Sequence, residues 1–150
     1  YNLLKMVDVT TSIRINCSLE KVAEYSAKPD NAPKWYKNIK SAQWLTSRPL
    51  EKGSQLKFIA KFLGKKLEYV YEINKCEPQK LLIMETKEGP FPMRTTYEWR
   101  YIDNTSTQMI LRNTGEPKGF SKFLSVFMVP MMKMANNKYL RLLKQNLENE

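Results

Sequence analysis

The stretch RTTYEWRY, residues 94–101, alternates polar and aromatic side chains more regularly than any other part of the chain. Thr95 and the three aromatic residues share one face of a strand, and the charged residues share the other. Such a strand packs its aromatic face on a core and turns its charged face to water, as in an antiparallel sheet. This stretch therefore predicts a sheet with one buried face.

The same period of two recurs on both sides of this stretch. Strands are predicted at residues 7–15, 39–46, 54–63, 66–76, 81–87 and 107–114. Gly64-Lys65 suits a two-residue hairpin turn, and Pro78 suits a type I turn. Most of the chain is therefore predicted to be a run of neighbouring antiparallel strands.

Three helices accompany the strands. A helix is predicted over residues 19–28, and a second short helix carries Trp35 and Tyr36. From residue 121 onward, apolar residues recur every three or four positions, which predicts one long terminal helix. Pro130 removes a backbone hydrogen bond from that helix, so we expect a kink or a break there.

The order of these elements predicts an α+β fold and a single domain over residues 1–150. Six or seven twisted antiparallel strands bury one broad face only by curling or by being covered. The long C-terminal helix is the available cover. We therefore expect a curved sheet wrapped around this helix, with two short helices after the first strand and an apolar hollow between sheet and helix.

The composition excludes several common chemistries. The 150 residues include no histidine and two cysteines, Cys17 and Cys76. Serine–histidine catalysis and histidine zinc sites are therefore excluded, and we expect no metal and no cofactor. Cysteine usage of this kind and the lack of a bilayer-length apolar stretch predict a cytoplasmic protein. The chain begins at Tyr1, so the sequence leaves open whether an N-terminal segment has been removed. It also leaves the oligomeric state open.

Short sequence segments along the chain indicate a family resemblance. They are CSLEKVAEY (17–25), PDNAPKW (29–35), LEKGS (50–54), CEPQKL (76–81) and YLRLLKQNLE (139–148). With the order of elements, they resemble the START-like, or SRPBCC, superfamily of polyketide cyclase-, dehydrase- and lipid-transport-like proteins, over about residues 7–148. The resemblance implies a helix-grip fold whose pocket holds a hydrophobic or amphipathic small molecule. It implies no activity, because carriers, sensors and cyclases share this fold, and no catalytic residue is assigned.

Residues on the inward rows are the candidate pocket residues, because apolar ligands bind among hydrophobic and aromatic side chains with a few orienting hydroxyls. The predicted lining residues are Phe58, Phe62, Tyr69, Tyr71, Met84, Tyr97, Trp99, Met109, Leu111, Phe123, Phe127, Met131 and Met134, and Trp35 and Tyr36 are predicted at the mouth. Tyr69, Tyr71 and Tyr97 are the expected polar contacts, since buried hydroxyls need partners. The alternative is that these residues form a filled core.

Binding of a lipid- or polyketide-like molecule without catalysis is the leading functional prediction. The first alternative is a cyclase or dehydratase that uses the same pocket. Acid–base chemistry of that kind needs a charged group held among the aromatic residues, for which Asp8, Arg14 and Arg94 are the candidates. Finding all three in open solvent would contradict this alternative.

The second alternative is a basic module that docks on an anionic membrane or on RNA. The chain has 25 Lys and Arg against 15 Asp and Glu, a net charge of +10. Lys118, Phe120 and Lys122 flank the start of the apolar helix, which favours weak contact with an anionic membrane. The aromatic residues that would stack on bases are predicted to point inward, which argues against nucleic acid. Strand alternation places many lysines on the outer face of the sheet, where they form a solvated surface.

Overall fold

A long helix and seven strands make up most of the structure, a computed structural model that describes residues 7–62, 64–88, 91–117 and 122–150, with the backbone alone at residues 62 and 122–125. The elements in chain order are β1 (Val7–Ile15), α1 (Leu19–Ala27), a 3₁₀ turn (Pro29–Asn31), α2 (Ala32–Trp35), β2 (Ile39–Trp44), β3 (Gln55–Phe62), β4 (Lys65–Glu77), β5 (Leu81–Thr86), β6 (Met93–Asp103), β7 (Ser106–Gly115) and α3 (Lys122–Glu148). The predicted elements are confirmed, with small differences at their ends.

The strands form one antiparallel sheet in the order β1-β7-β6-β5-β4-β3-β2. Strands β2 to β6 each pair with the next strand in the chain, whereas β1 crosses to pair with β7, the last strand. Shifts in register interrupt the pairing in β2, β4 and β6. Because an extra residue on one strand bends it, these irregularities help the sheet to curve.

Strand β6 shows how the sequence pattern places its side chains. Thr95, Tyr97 and Trp99 are buried on the concave face, while Arg94 and Arg100 are exposed on the opposite face. The inward row continues onto the neighbouring strands through the cross-strand register. The sheet therefore has the single buried face that the alternation predicts.

One end of the concave face is covered by two helices. Helix α1 and the C-terminal half of α3 pack there, and the indole Nε1–H of Trp99 donates a hydrogen bond to Ser26 Oγ at 2.8 Å. The fully buried side chains in this core include Val22, Trp35, Met109, Leu111, Leu140 and Leu143. A second, smaller core joins Val7 and Val9 of β1 to Phe91 and Met128.

Helix α3 continues without interruption through Pro130, so a break at this residue is ruled out. Pro130 and Val126 lie on the exposed side of the helix, where water can bond to the carbonyl that the proline leaves unpaired.

Two contacts fix the far end of α3 to the end of β1. The Asn16 N–H donates to Glu148 Oε2 at 2.8 Å, and Lys144 Nζ donates to the Arg14 carbonyl at 2.9 Å. The curved antiparallel sheet around α3, with α1 and α2 after the first strand, confirms the predicted α+β helix-grip fold.

Candidate functional site

A cavity of about 250 Å³ lies between the concave face of the sheet and the middle of α3. Its walls come from β3, β4, β5, β6, α3 and the segment that joins α2 to β2. The lining residues are Tyr36, Asn38, Ile39, Phe58, Ala60, Lys61, Tyr69, Tyr71, Met84, Thr86, Phe91, Met93, Thr95, Tyr97, Met128, Met131, Met132, Ala135, Asn136 and Tyr139. The hollow therefore occupies the part of the inner face that α1 does not cover.

Aromatic rings of the cavity wall contact one another at two places. Tyr36 stacks on Tyr139 of α3 with ring centroids 4.8 Å apart, which joins the segment after α2 to the helix. On the sheet, Phe58 meets Tyr71 edge to face at 5.6 Å. Contacts of this kind stabilise the positions of the rings that line the cavity.

A chain of polar side chains crosses the wall between α3 and the sheet. Asn136 Nδ2 donates to Asn113 Oδ1 at 2.6 Å, and Asn113 Nδ2 donates to Thr95 Oγ1 at 2.9 Å and to the Tyr36 hydroxyl oxygen at 3.5 Å. Asn136, Asn113 and Thr95 are all buried. The network therefore satisfies amide groups that would otherwise be costly to bury.

The tyrosines of the cavity wall are held in their neutral form. Burial raises the pKa of Tyr71 to about 12, and burial also raises the pKa of Tyr36 and of Tyr97 well above its usual value. These hydroxyl groups keep their protons at any ordinary pH. They can therefore donate hydrogen bonds to a guest but cannot supply a negative charge.

Charge is scarce in the cavity. Among the described lining residues, Lys61 is the one charged side chain, and it is exposed. Asp8 pairs with Arg112, Arg14 with Asp103 and Arg94 with Glu85, all in exposed ion pairs. None of the three candidates for acid–base chemistry is therefore brought into the cavity.

The described part of the chain offers no site for a metal ion. No group of cysteine and carboxylate side chains among these residues is arranged to hold one. None of its helices has the length and apolar character needed to cross a membrane.

The structure brings seven of the predicted site residues to the cavity wall: Phe58, Tyr69, Tyr71, Met84, Tyr97, Met131 and Tyr36. The predicted side chains of Phe62 and Phe123 lie outside the described part of the structure, as do residues Lys118 and Phe120 and the side chain of Lys122.

The remaining predicted residues lie elsewhere. Trp35 is fully buried in the core rather than at the mouth, because α2 presses it against Tyr97 at a ring distance of 5.5 Å. Trp99, Met109 and Leu111 are on the inward row as predicted, but they do not line the cavity and belong to the core cluster that also includes side chains of α1. Phe127 and Met134 do not line the cavity, because they lie on the outer side of α3 with 54% and 62% of their surface exposed.

The row of α3 residues that lines the cavity continues the row of core leucines near the end of the helix, at steps of four residues. Leu147, Leu143 and Leu140 lie in the core, and steps of four from Leu140 reach Asn136, Met132 and Met128. Apolar periodicity alone passes over this row because Asn136 is polar. The other missed side chains with polar groups are Asn38, Lys61, Thr86, Thr95 and Tyr139.

A second, more open depression of about 550 Å³ lies between α1 and the turns at the opposite end of the sheet. Glu20, Glu24, Lys28 and Glu77 contribute to its walls, so its surface is far more charged. The smaller cavity is the better site for an apolar guest because its walls are mostly apolar and it lies on the inner face.

Several solved structures have the same fold. TTHA0849 from Thermus thermophilus is 16% identical, with a TM-score of 0.79, over 95% of this chain and 97% of that one. The Zhui aromatase/cyclase from Streptomyces sp. R1128 is 12% identical, with a TM-score of 0.79, over 95% and 94% of the two chains. A START superfamily protein from Mycobacterium smegmatis is 16% identical, with a TM-score of 0.72, over 95% and 94%. At these identities the likeness establishes the fold alone.

Larger proteins also contain this fold. The di-domain ARO/CYC StfQ from the steffimycin biosynthetic pathway matches with 11% identity and a TM-score of 0.78, and the chain spans about half of its length, 52%. No curated protein matches the sequence.

The family itself is established by the sequence as a whole. The family model described as polyketide cyclase / dehydrase and lipid transport matches residues 6–148. This range includes every strand and helix of the fold, from β1 to the end of α3. The chain therefore belongs to the polyketide cyclase/dehydrase and lipid transport family, within the START-like (SRPBCC) superfamily.

Proposed function

We propose that this protein binds a hydrophobic or amphipathic small molecule, lipid- or polyketide-like, in the cavity between the sheet and α3. The observation that carries this proposal is the cavity of about 250 Å³, with mostly apolar walls, between α3 and the inner face of the sheet. An empty apolar space forfeits packing contacts, and a guest of matching shape would restore them. The volume corresponds to roughly eight waters at about 30 Å³ each, which suits a molecule of two or three fused rings or a short chain.

The first test is to identify a guest directly. Protein from its own host would be analysed by native mass spectrometry and by organic extraction. A co-purifying apolar molecule at close to one per chain would support the proposal. Failure to find a guest, together with no binding of small aromatic probes, would contradict it.

A cavity-filling variant tests the location. Ala135 faces the cavity from α3, so Ala135→Phe should fill part of it and weaken the binding of an aromatic probe at least tenfold. Met134→Phe is the matched control. Residue 134 is exposed on the same helix, so this substitution places the same ring outside the cavity. Equal binding by both variants would place the guest elsewhere.

Binding without catalysis is the better-supported form of the proposal. The described lining residues include no carboxylate and no arginine, and tyrosine and asparagine supply the polarity. A cyclase would then have to work by positioning a reactive chain among neutral hydroxyls.

Weak contact with an anionic membrane is a second proposal. Val126, Met131 and Met134 are exposed on α3, between 53% and 67%, in a chain with a net charge of +10. Exposed apolar side chains on a protein of net positive charge favour an anionic bilayer surface. Co-sedimentation with phosphatidylserine vesicles should fall steeply from low to high salt, and salt-independent binding would contradict this proposal.

We propose the cytoplasm as the location. Cys17 and Cys76 are both free thiols, which suits a reducing compartment. Fractionation of the host would test this location.

A further inference from the structure

We propose that the second depression, between α1 and the turns at the opposite end of the sheet, is a further binding site that takes a small organic cation, an ammonium group joined to an apolar body. The depression has a volume of about 550 Å³. It shares no described lining residue with the cavity between the sheet and α3. This inference therefore does not depend on the function proposed for that cavity.

Much of the wall of the depression is apolar. The apolar residues include Ala23 and Ala27 of α1, Leu50 between β2 and β3, Leu82 of β5 and Trp99 of β6. An apolar body placed there would remove its own surface, and the exposed parts of these side chains, from water. Loss of such surface from water is the main favourable contribution to binding in a concave site.

One face of α1 brings two carboxylates to the same depression. Glu20 and Glu24 are four residues apart on the helix, so their side chains are neighbours. Both are exposed and line the depression, and neither forms an ion pair with any residue that the structure describes. Like charges at this spacing destabilise a helix, and a cation bound beside them would relieve the repulsion.

Most other charges of the depression are already neutralised. Glu77 pairs with two neighbouring lysines, and Arg48 pairs with Asp30 at 2.7 Å. Lys28 is the one lining cation that has no carboxylate partner in the described ranges. Two unpaired carboxylates against one lysine leave a surplus of negative charge, in a chain whose net charge is +10. This surplus favours a cationic guest over an anionic one.

An internal cation is already bound at the rim. The guanidinium of Arg48 lies 4.6 Å from the centre of the Trp44 ring and donates hydrogen bonds to Asp30 at 2.7 and 3.0 Å. Both Trp44 and Arg48 line the depression. An aromatic ring beside a carboxylate is the combination that recognises organic cations, so this rim has the chemistry that the proposal requires.

The test compares three probes that share a naphthalene ring and differ in charge: 2-naphthylmethylammonium, 2-naphthylmethanol and 2-naphthoate. Calorimetry would measure their affinities for the unmodified protein, for the double variant Glu20→Gln/Glu24→Gln and for Ala135→Phe, which fills the other cavity. Glu72→Gln is the matched control, because Glu72 is exposed on β4 and lines neither site.

We expect the ammonium to bind most tightly and the naphthoate most weakly. The double variant should weaken ammonium binding about three- to twentyfold, the effect of removing two exposed charges, and should leave the affinity for the alcohol unchanged. Glu72→Gln and Ala135→Phe should both leave the ammonium affinity unchanged. That affinity should also fall as the salt concentration rises.

The two cysteines report where the ammonium binds. Cys76 lines the depression and Cys17 lines neither site, although both are half-buried free thiols. Saturating ammonium should therefore slow the alkylation of Cys76 by iodoacetamide and leave that of Cys17 unchanged. Mass spectrometry of the digested protein would measure the two rates separately.

Several results would overturn the inference. These are ammonium binding that is absent or no tighter than alcohol binding, a loss in the double variant no larger than in Glu72→Gln, and an unchanged alkylation rate of Cys76. Loss of ammonium binding in Ala135→Phe would place the cation in the other cavity and would also contradict the inference. None of these results removes the function proposed for that cavity, which the identification of its own guest tests separately.

Discussion

Replacing Ser26 with alanine should remove the partner of a buried indole nitrogen. Trp99 Nε1–H donates to Ser26 Oγ at 2.8 Å, and the Ser26 hydroxyl donates to the Val22 carbonyl at 2.6 Å. Only 4% of Trp99 and 3% of Ser26 are exposed, so water has little access to the pair. In Ser26→Ala the indole N–H would stay in place without an acceptor.

The expected cost can be estimated from two opposing effects. A buried donor left unpaired destabilises a protein by about 1–3 kcal/mol. Alanine is the better helix former, and this gain near the end of α1 returns up to about 0.5 kcal/mol. We therefore expect Ser26→Ala to lower the free energy of unfolding by roughly 0.5–3 kcal/mol and Tm by roughly 1–12 °C.

Urea unfolding followed by circular dichroism would measure this loss. Ser41→Ala is the control, because Ser41 is exposed on β2, and its effect should stay within about 0.5 kcal/mol. Ser26→Ala should also cost less when Trp99 is already phenylalanine, because the donor is then absent. A loss no larger than in the control, or an undiminished loss with phenylalanine at residue 99, would refute the reasoning.

Three further changes have defined outcomes. Pro130→Ala should raise the free energy of unfolding by about 1–3 kcal/mol, because alanine restores a backbone N–H inside the continuous α3, and urea unfolding that shows no gain would count against this. Gly115→Ala should destabilise the protein by about 1–3 kcal/mol, because the Cβ of the new alanine would lie 2.8 Å from the ring of Phe91. Since that ring lines the cavity, calorimetry should also show an altered affinity for an aromatic probe. Hydrogen bonds from the Asn16 N–H and from Lys144 lower the pKa of Glu148. This carboxylate therefore stabilises the protein at pH values above its pKa in the unfolded chain, near 4.3, and the stabilisation is lost as the pH falls through the pKa in the folded protein. Unfolding curves of Glu148→Gln should therefore show lower stability than the unmodified protein at neutral pH and equal stability in strong acid, and a difference that persisted in acid would be inconsistent with this role.

The strands and their buried faces could be predicted from the sequence because the period of two is a local property. Thr95, Tyr97 and Trp99 are buried in β6 as the pattern indicates, and the register carries that face across the sheet. Pro130 is the local signal that misleads, since a proline on the exposed side of a helix interrupts one hydrogen bond without ending the helix.

The position of the hollow could not be predicted, because it depends on where the helices lie over the sheet. Tyr97 and Trp99 are two residues apart on the same face, yet Tyr97 lines the cavity and Trp99 lies under α1. Whether an inward residue meets a void or a helix is set by contacts between distant segments. For the same reason the prediction for Phe127 and Met134 is wrong: apolar spacing identifies a stripe but not the rotation of the helix.

The pairing of β1 with β7 has a consequence for how this chain reaches its fold. Thr11 bonds to Leu111, one hundred residues later, whereas β2 to β7 can pair with neighbours as soon as each hairpin emerges. At about 5–20 residues per second on the ribosome, β1 waits on the order of 5–20 seconds for its partner strand. During that interval Val7 and Val9, which are fully or almost fully buried in the finished protein, stay available to other chains. Aggregation during synthesis should therefore respond to polar substitutions in β1 more strongly than to equivalent changes in the hairpins.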